Sequence, residues 1–211
     1  MSTCLVGSEM CIRDRIVDEG VCSIEDVDRG AKVGLRWARG PFELMNRVGV
    51  LKSFEMAQDY LKLCQDESGK SNWQIPEFFA KQASNNQKWD FSYVDTEISN
   101  GIATITINRP EAMNALNETV IHQLGIAVDA VNSNDEVHTM VLDGAGKAFI
   151  AGADVKFFVD KIRSDSIPDI VEFTSNGHKV LNSIENSPKT TIALTTGLAL
   201  GGGLELSLIH I

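Results

Sequence analysis

The chain has 211 residues with 19 basic and 29 acidic side chains, a formal net charge of −10, so it is long enough for one or two domains with a real core. Its 43% hydrophobic and 23% charged content excludes wholesale disorder, and no window approaches ~18 uninterrupted apolar residues, so no membrane-spanning helix is expected. An acidic balance without basic runs argues against a nucleic-acid or anionic-membrane partner, because both require clustered Lys and Arg. Four cysteines (Cys4, Cys11, Cys22 and Cys64) show neither C-x-x-C spacing nor a disulfide framework. That usage fits reduced thiols and a cytoplasmic location.

Residues 1–15 carry two of the cysteines, no helical or strand period, and no apolar core of the signal-peptide kind. They resemble translated sequencing-adapter read-through, as do residues 207–211; a disordered natural terminus is the alternative. Cys4, Cys11 and His210 therefore carry no functional weight, and the natural protein is expected to begin upstream of Ile16 and to continue past Leu206.

Residues 16–70 read as helical. Ser23 to Asp26 is an S-x-x-D capping pattern, and Gly40-Pro41 ends one helix and opens another. Val50, Phe54, Ala57, Leu61 and Cys64 then recur at helical spacing on one face. The period is lost after Cys64, and residues 71–90, rich in Ser, Asn and Gln, are expected to form a linker or a peripheral segment and the domain boundary.

From Phe91 the texture changes. Ser92–Ile98 and Ile102–Ile107 around Ser99-Asn100-Gly101 predict a β-hairpin. Asn117 caps a predicted helix with Val120, Leu124, Ala127 or Val128, and Val131 on its inner face. His138–Leu142 reads as a short buried strand and Asp143 to Gly146 as a loop. Pro168 opens a long helix with Ile170, Phe173, Gly177, Val180 and Ile184 on one face. Thr190–Thr196 reads as another strand before Gly201-Gly202-Gly203. Alternating strands and helices make residues 91–206 an α/β unit.

Several signals carry no chemistry. Gly144 to Lys147 lacks the G-x-x-x-x-G-K-[ST] spacing of a phosphate loop, and no G-x-G-x-x-G follows a strand. His122, His138 and His178 stand without a second ligand at metal spacing, so no metal site is expected.

Two segments do carry chemistry. Ala148 to Asp154 is a small-residue turn after a strand, leading into an apolar helix from Val155. Ala199 to Glu205 repeats that arrangement around three glycines. Bare turns let a ligand approach the backbone, and helix N-termini present unpaired N–H donors. Two such turns facing each other would form an oxyanion hole for a carbonyl gaining negative charge. Glu205 follows Gly202 by three residues, on the face where that amide points, placed for general acid–base work. The plain alternative is that these glycines only pack helix against sheet.

On Asn108 through Leu116, the Ala151-Gly152-Ala153-Asp154 turn, and Ala199 through Leu206, residues 91–206 resemble the amino-terminal half of an enoyl-CoA hydratase/isomerase (crotonase) domain. The resemblance implies a spiral of ββα turns, with the thioester oxygen held by the amides of Ala153 and Gly202. It also implies a coenzyme A-side loop at Glu111, Ala112 and Met113, and a substrate border at Asp154, Val155 and Lys156. Family hydratases use two glutamates around one water: the first matches Glu205, and the second would lie about twenty residues further on. With one carboxylate, residues 1–211 are expected not to turn over.

Residues 16–70 resemble the helical carboxy-terminal domain of 3-hydroxyacyl-CoA dehydrogenases. The match runs through Val17 to Gly20, Ile24 to Gly30, Gly34 to Trp37, and Gly40-Pro41-Phe42-Glu43-Leu44. Arg36 to Arg39 depart from the family's usual small or apolar residues before Gly-Pro. Together the two resemblances imply part of a bifunctional enzyme that hydrates a trans-2-enoyl-CoA and oxidises the 3-hydroxyacyl-CoA product with NAD. NAD would be bound in an upstream domain, no cofactor is expected in the present chain, and a homo-oligomer is expected of the full-length protein. The alternatives are an enoyl-CoA isomerase or other crotonase-type activity, and a non-catalytic acyl-CoA-binding or dimerisation module.

Overall fold

The computed structural model describes residues 16–64 and 74–208. The chain divides into two compact units, Met1–Phe91 and Ser92–Ile211. The segments 1–15, 65–73 and 209–211, with Cys4, Cys11 and His210, lie outside the described residues.

In the first unit the named elements are helices: α1 (Ile24–Gly34), α2 (Pro41–Val48), α3 (Val50–Leu63) and α4 (Glu77–Ser84). Ser23 Oγ accepts the Asp26 N–H at 3.2 Å, the cap that the S-x-x-D spacing calls for. Pro41 sits at the first position of α2, where a missing N–H costs nothing. The next two amides, of Phe42 and Glu43, donate to the Asp28 carboxylate at 2.8 and 2.9 Å. Asp28 is only 2% exposed, and a Cβ on Gly40 would overlap its carboxyl group, so glycine is what lets α1 reach the start of α2. Burial pushes the Asp28 pKa up to about 6, even though the two amides favour the charged form.

Phe42, Met45, Val50, Phe79, Ala83 and Trp89 fill this core, with Phe54 and Ala57 packed against it. Phe42 meets Trp89 edge-on at 5.1 Å, and Phe54 meets Phe79 at 5.3 Å. The Asn46 amide brackets the Trp89 backbone, donating to its carbonyl at 2.8 Å and accepting its N–H at 2.7 Å. The expected linker at 71–90 is therefore corrected for residues 74–90, which hold α4 and three of those core side chains. An eight-residue helix with two inward positions shows little period in sequence, and that is why its polar neighbours dominate the reading.

The second unit runs β1 (Val94–Ser99), β2 (Ile102–Ile107), α5 (Glu118–Asn132), β3 (Thr139–Gly144), β4 (Ala148–Ala151), α6 (Val155–Arg163), α7 (Ile167–Glu185), β5 (Thr190–Ala193), β6 (Leu198–Leu200) and α8 (Gly202–Leu208). Strand, strand, helix thus recurs along the chain, the ββα order of a crotonase-like α/β spiral. One sheet has the order β1-β2-β3-β5 and a second pairs β4 with β6. β1 and β2 form the expected hairpin, with Asn100 at φ 51° and Gly101 at φ 76° in its turn. β2 runs parallel to β3, and β3 to β5. Asn117 Oδ1 caps α5 by accepting the Val120 N–H at 2.9 Å. Val120, Leu124, Val128 and Val131 face inward from that helix, which resolves the Ala127 or Val128 alternative.

Three boundaries differ from expectation. β3 continues through Asp143 and Gly144, which pair with Thr106 and Ile107, so the loop begins at Ala145. Ala148–Ala151 is itself a strand rather than part of a turn. The run 190–196 stops at Ala193, and after Gly197 a separate strand, β6, pairs in parallel with β4. Gly197 makes this corner: a Cβ there would overlap the Lys147 carbonyl oxygen. Ser207 and Leu208 form the last turn of α8.

Candidate active site

β4 and β6 deliver two glycine turns to the same level, since Ala151 pairs with Leu200 immediately before Gly152 and Gly201. Both glycines take the left-handed conformation, Gly152 at φ 84° and Gly201 at φ 50°, where side chains are rarely accommodated. A Cβ on Gly201 would lie 3.4 Å from the Gly152 Cα, so the turns touch backbone to backbone. Each turn then opens a helix, α6 from Val155 and α8 from Gly202.

Ala153 and Gly202 each present an amide with no backbone acceptor among the described residues. Gly202 is the first helical residue, whose N–H has no partner one turn back. Around Ala153, Leu116 donates to the Gly152 carbonyl at 2.8 Å and accepts the Asp154 N–H at 2.8 Å. The two bonds bracket Ala153 and leave its own N–H unused.

Asp154 is committed within the chain. Its Oδ1 caps α6 by accepting the Lys156 N–H at 3.1 Å, and its Oδ2 lies 2.9 Å from the Arg109 guanidinium. Val155 and Lys156 are exposed on the first turn of α6. Glu111 and Ala112 form a short 3-10 turn with Pro110, followed by an exposed Met113 at φ 51°. Glu205 is exposed on α8, and its N–H donates to the Gly201 carbonyl at 3.0 Å, which fixes the first turn of that helix.

Two residues that the sequence reading gave no role hold this arrangement together. Asn114 is fully buried, at φ 56°. Its Oδ1 accepts the Arg109 N–H at 2.9 Å, and its Nδ2 donates to the carbonyls of Ala145 and Ala148 at 2.9 and 2.7 Å. Arg109 donates to the Ala115 carbonyl at 3.0 Å and stacks over the Tyr93 ring at 5.6 Å. The available signal was an Asn just past a Pro-containing turn, a type that tolerates left-handed backbone and bonds locally. Among the described residues, no group of three or more His, Cys, Asp or Glu could hold a metal ion, and no helix is long and apolar enough to cross a membrane.

Comparison with known proteins gives two family matches. Residues 102–210 match the model described as enoyl-CoA hydratase/isomerase. Residues 11–88 match the model for the 3-hydroxyacyl-CoA dehydrogenase C-terminal domain. Over 108 residues the chain is 42% identical to a crotonyl-CoA hydratase of Syntrophomonas wolfei and 35% identical to a short-chain-enoyl-CoA hydratase of Clostridium acetobutylicum. Each alignment covers 51% of this chain and 40% of the relative, so the chain spans well under half the length of these curated relatives. The crystal structure of an enoyl-CoA hydratase from Bacillus halodurans superposes with a TM-score of 0.53 at 30% identity, over 56% of this chain and 47% of that one.

Proposed function

The chain belongs to the enoyl-CoA hydratase/isomerase family, and from that premise we propose that its second unit polarises the thioester carbonyl of a short trans-2-enoyl-CoA for addition of water. The observation that carries the proposal is the contact of the two glycine turns, with the amides of Ala153 and Gly202, which have no backbone acceptor among the described residues, on either side. In hydration, water oxygen bonds to C3, the C2–C3 π electrons move toward the thioester, and negative charge gathers on its oxygen. Two fixed N–H donors stabilise that oxygen more as its charge grows, so they lower the barrier rather than only tighten binding. As its oxygen bonds to C3 the water gives up one proton to a carboxylate, and a proton delivered to C2 quenches the enolate, giving the 3-hydroxyacyl-CoA. Glu205 is the carboxylate assigned to proton transfer, three residues beyond Gly202 and exposed.

Coenzyme A enters as part of the substrate, along Glu111, Ala112 and Met113, with Asp154, Val155 and Lys156 bordering the acyl portion. Both carboxylate oxygens of Asp154 are already engaged, so its part is to shape that border. Support for a short enoyl chain comes from the 42% identity to a crotonyl-CoA hydratase.

The first unit supports a wider proposal, a protein that also oxidises the 3-hydroxyacyl-CoA with NAD in a dehydrogenase part. The residues of this chain do not fit NAD itself. No G-x-G-x-x-G occurs in the sequence, and the named elements of the first unit are helices without a strand to open such a turn. No step is therefore assigned to NAD here.

Calorimetric titration tests the thioester assignment by comparing crotonyl-CoA with free coenzyme A on the 211-residue chain. Tighter binding of the thioester, weakened by Gly202→Pro, is expected. Equal affinities for the two ligands would overturn the assignment.

A further inference from the structure

We propose that Arg109 is a positioning residue for the thioester-polarising turn, acting through its ion pair with Asp154 to set the direction of the Ala153 amide. The inference rests on the assignment of Ala153 as an oxyanion donor and concerns a residue to which that mechanism gives no part.

The Ala153 N–H is aimed by its neighbours, because it has no backbone bond of its own among the described residues. On one side of it, Gly152 supplies its carbonyl to Leu116; on the other, Asp154 gives its N–H to the Leu116 carbonyl. Ala151 adds a third tie, donating to the Met113 carbonyl at 3.1 Å. The turn 151–154 is therefore registered against the segment 113–116, and its direction is only as fixed as that segment.

Segment 109–116 has no regular secondary structure beyond the short 3-10 turn, and Met113 and Asn114 both adopt positive φ. Its shape depends on side chains. Asn114 secures one end to the Ala145 and Ala148 carbonyls. Arg109, at the start of the segment, reaches across to that same end, donating to the Ala115 carbonyl, next to Leu116, while pairing with Asp154 Oδ2. Side-chain exposures of 15% for Arg109 and 18% for Asp154 keep water largely out of the pair, so it is screened less than a surface contact. The other Asp154 oxygen caps α6. A single guanidinium thus links the loop, the helix start and the residue following Ala153. Its Nη1 reaches the carboxylate and the carbonyl at once, and the planar guanidinium fixes the two directions where a lysine ammonium has less directional control.

The test uses the 211-residue chain and three variants: Arg109→Met, Arg109→Lys and Asp154→Asn. Asp154→Asn keeps an oxygen for the α6 cap while removing the charge. Two readouts are taken. Amide hydrogen exchange at Leu116 and Asp154 reports the ties that bracket Ala153. The infrared carbonyl band of bound crotonyl-CoA, labelled with ¹³C at the thioester, reports polarisation per bound ligand.

In Arg109→Met and Asp154→Asn, exchange at Leu116 and Asp154 should accelerate by roughly tenfold or more, the change expected on losing a charge-assisted hydrogen bond. Exchange at Val120 and Leu124 in α5 should hold, and the carbonyl shift should shrink. Arg109→Lys should restore part of both. A carbonyl shift retained in full by Arg109→Met would overturn the positioning role alone. Exchange that rises uniformly through α5 as well would assign Arg109 to general stability and overturn it too. A wild-type chain that binds crotonyl-CoA with no carbonyl shift would instead remove the functional assignment on which the inference stands.

Discussion

Gly152 and Gly201 meet backbone to backbone at the ends of two paired parallel strands, close enough that a Cβ on Gly201 would lie 3.4 Å from the Gly152 Cα. Two chain segments separated by about fifty residues in sequence thereby bring two helix starts to one place. A Cβ at either glycine would meet only ordinary van der Waals contact, so the left-handed backbone rather than lack of space calls for glycine here, and among the described residues the neighbouring amides of Ala153 and Gly202 have no backbone acceptor.

Gly202 and Gly203 of the second turn should differ sharply in tolerance. A Cβ on Gly203 would overlap the Ile150 carbonyl oxygen in β4, whereas one on Gly202 meets only the Leu116 Cδ1, at 3.3 Å. Gly203→Ala is expected to lower stability by about 1–3 kcal/mol, the usual range for overpacking, and to loosen the β4–β6 pair. Gly202→Ala should stay near wild type, because a leucine tip can rotate away and alanine favours the helix. Urea denaturation of the two variants side by side checks the contrast.

Removing the Asn114 side chain deletes three hydrogen bonds at once. Asn114→Ala leaves the Arg109 N–H and the Ala145 and Ala148 carbonyls without its bonds, in a position with no solvent exposure. At roughly 0.5–1.5 kcal/mol for each hydrogen bond lost, a loss of about 3 kcal/mol is expected. Alanine at φ 56° adds strain in the same direction. A denaturation midpoint within error of wild type would contradict this account of the loop.

Asp28 should make the first unit less stable as pH rises. Its folded pKa, about 6, lies above the ordinary 3.8, so the folded state holds its proton more tightly than the unfolded chain. The associated stability is fully present below about pH 4 and is lost as pH climbs through 6, by an amount on the order of 3 kcal/mol. Lys32 and Glu43 act in opposite directions on this group. Asp28→Asn should remove this component of the slope. Denaturant unfolding between pH 4 and 7.5, followed by Trp fluorescence, measures it; parallel pH profiles for wild type and variant would contradict the assignment.

Glu205 should be separable from the amide donors. Glu205→Gln is expected to leave crotonyl-CoA affinity and the carbonyl band largely unchanged, since neither requires a proton acceptor. With this single carboxylate after Gly202, the chain is expected to show no sustained hydration, followed as loss of the enoyl absorbance. Steady turnover abolished by Glu205→Gln would show that one carboxylate suffices.

Much of this arrangement was legible in the sequence because local chemistry reports local structure. Asn117 and Ser23 announced their helices by capping, and Asn100-Gly101 announced the hairpin turn. The glycine turns were visible as small-residue runs following apolar strands. What remained hidden depends on contacts distant in sequence. α4 contributes only Phe79 and Ala83 as fully buried positions, too few to display a period amid polar neighbours. β6 has three residues and is defined by its pairing with β4, about fifty residues earlier in the sequence. Arg109 and Asn114 lie in the Asn108–Leu116 run that carries the resemblance, but what each holds shows only when Asp154, 45 positions on from Arg109, and Ala148 are brought beside them.

The central claim is that the Ala153 and Gly202 amides polarise a thioester, and infrared difference spectroscopy of thioester-¹³C crotonyl-CoA bound to the wild-type and Gly202→Pro chains tests it most directly. Proline at the first position of α8 deletes one donor where a helix tolerates the loss. A donor of this kind is typically worth about 2.7–4 kcal/mol in the transition state. The predicted result is a carbonyl band moved to lower wavenumber on binding wild type, with most of that movement absent in a folded Gly202→Pro chain. A band at the free-ligand position in the wild-type complex, or an equal shift in both proteins, would contradict the claim.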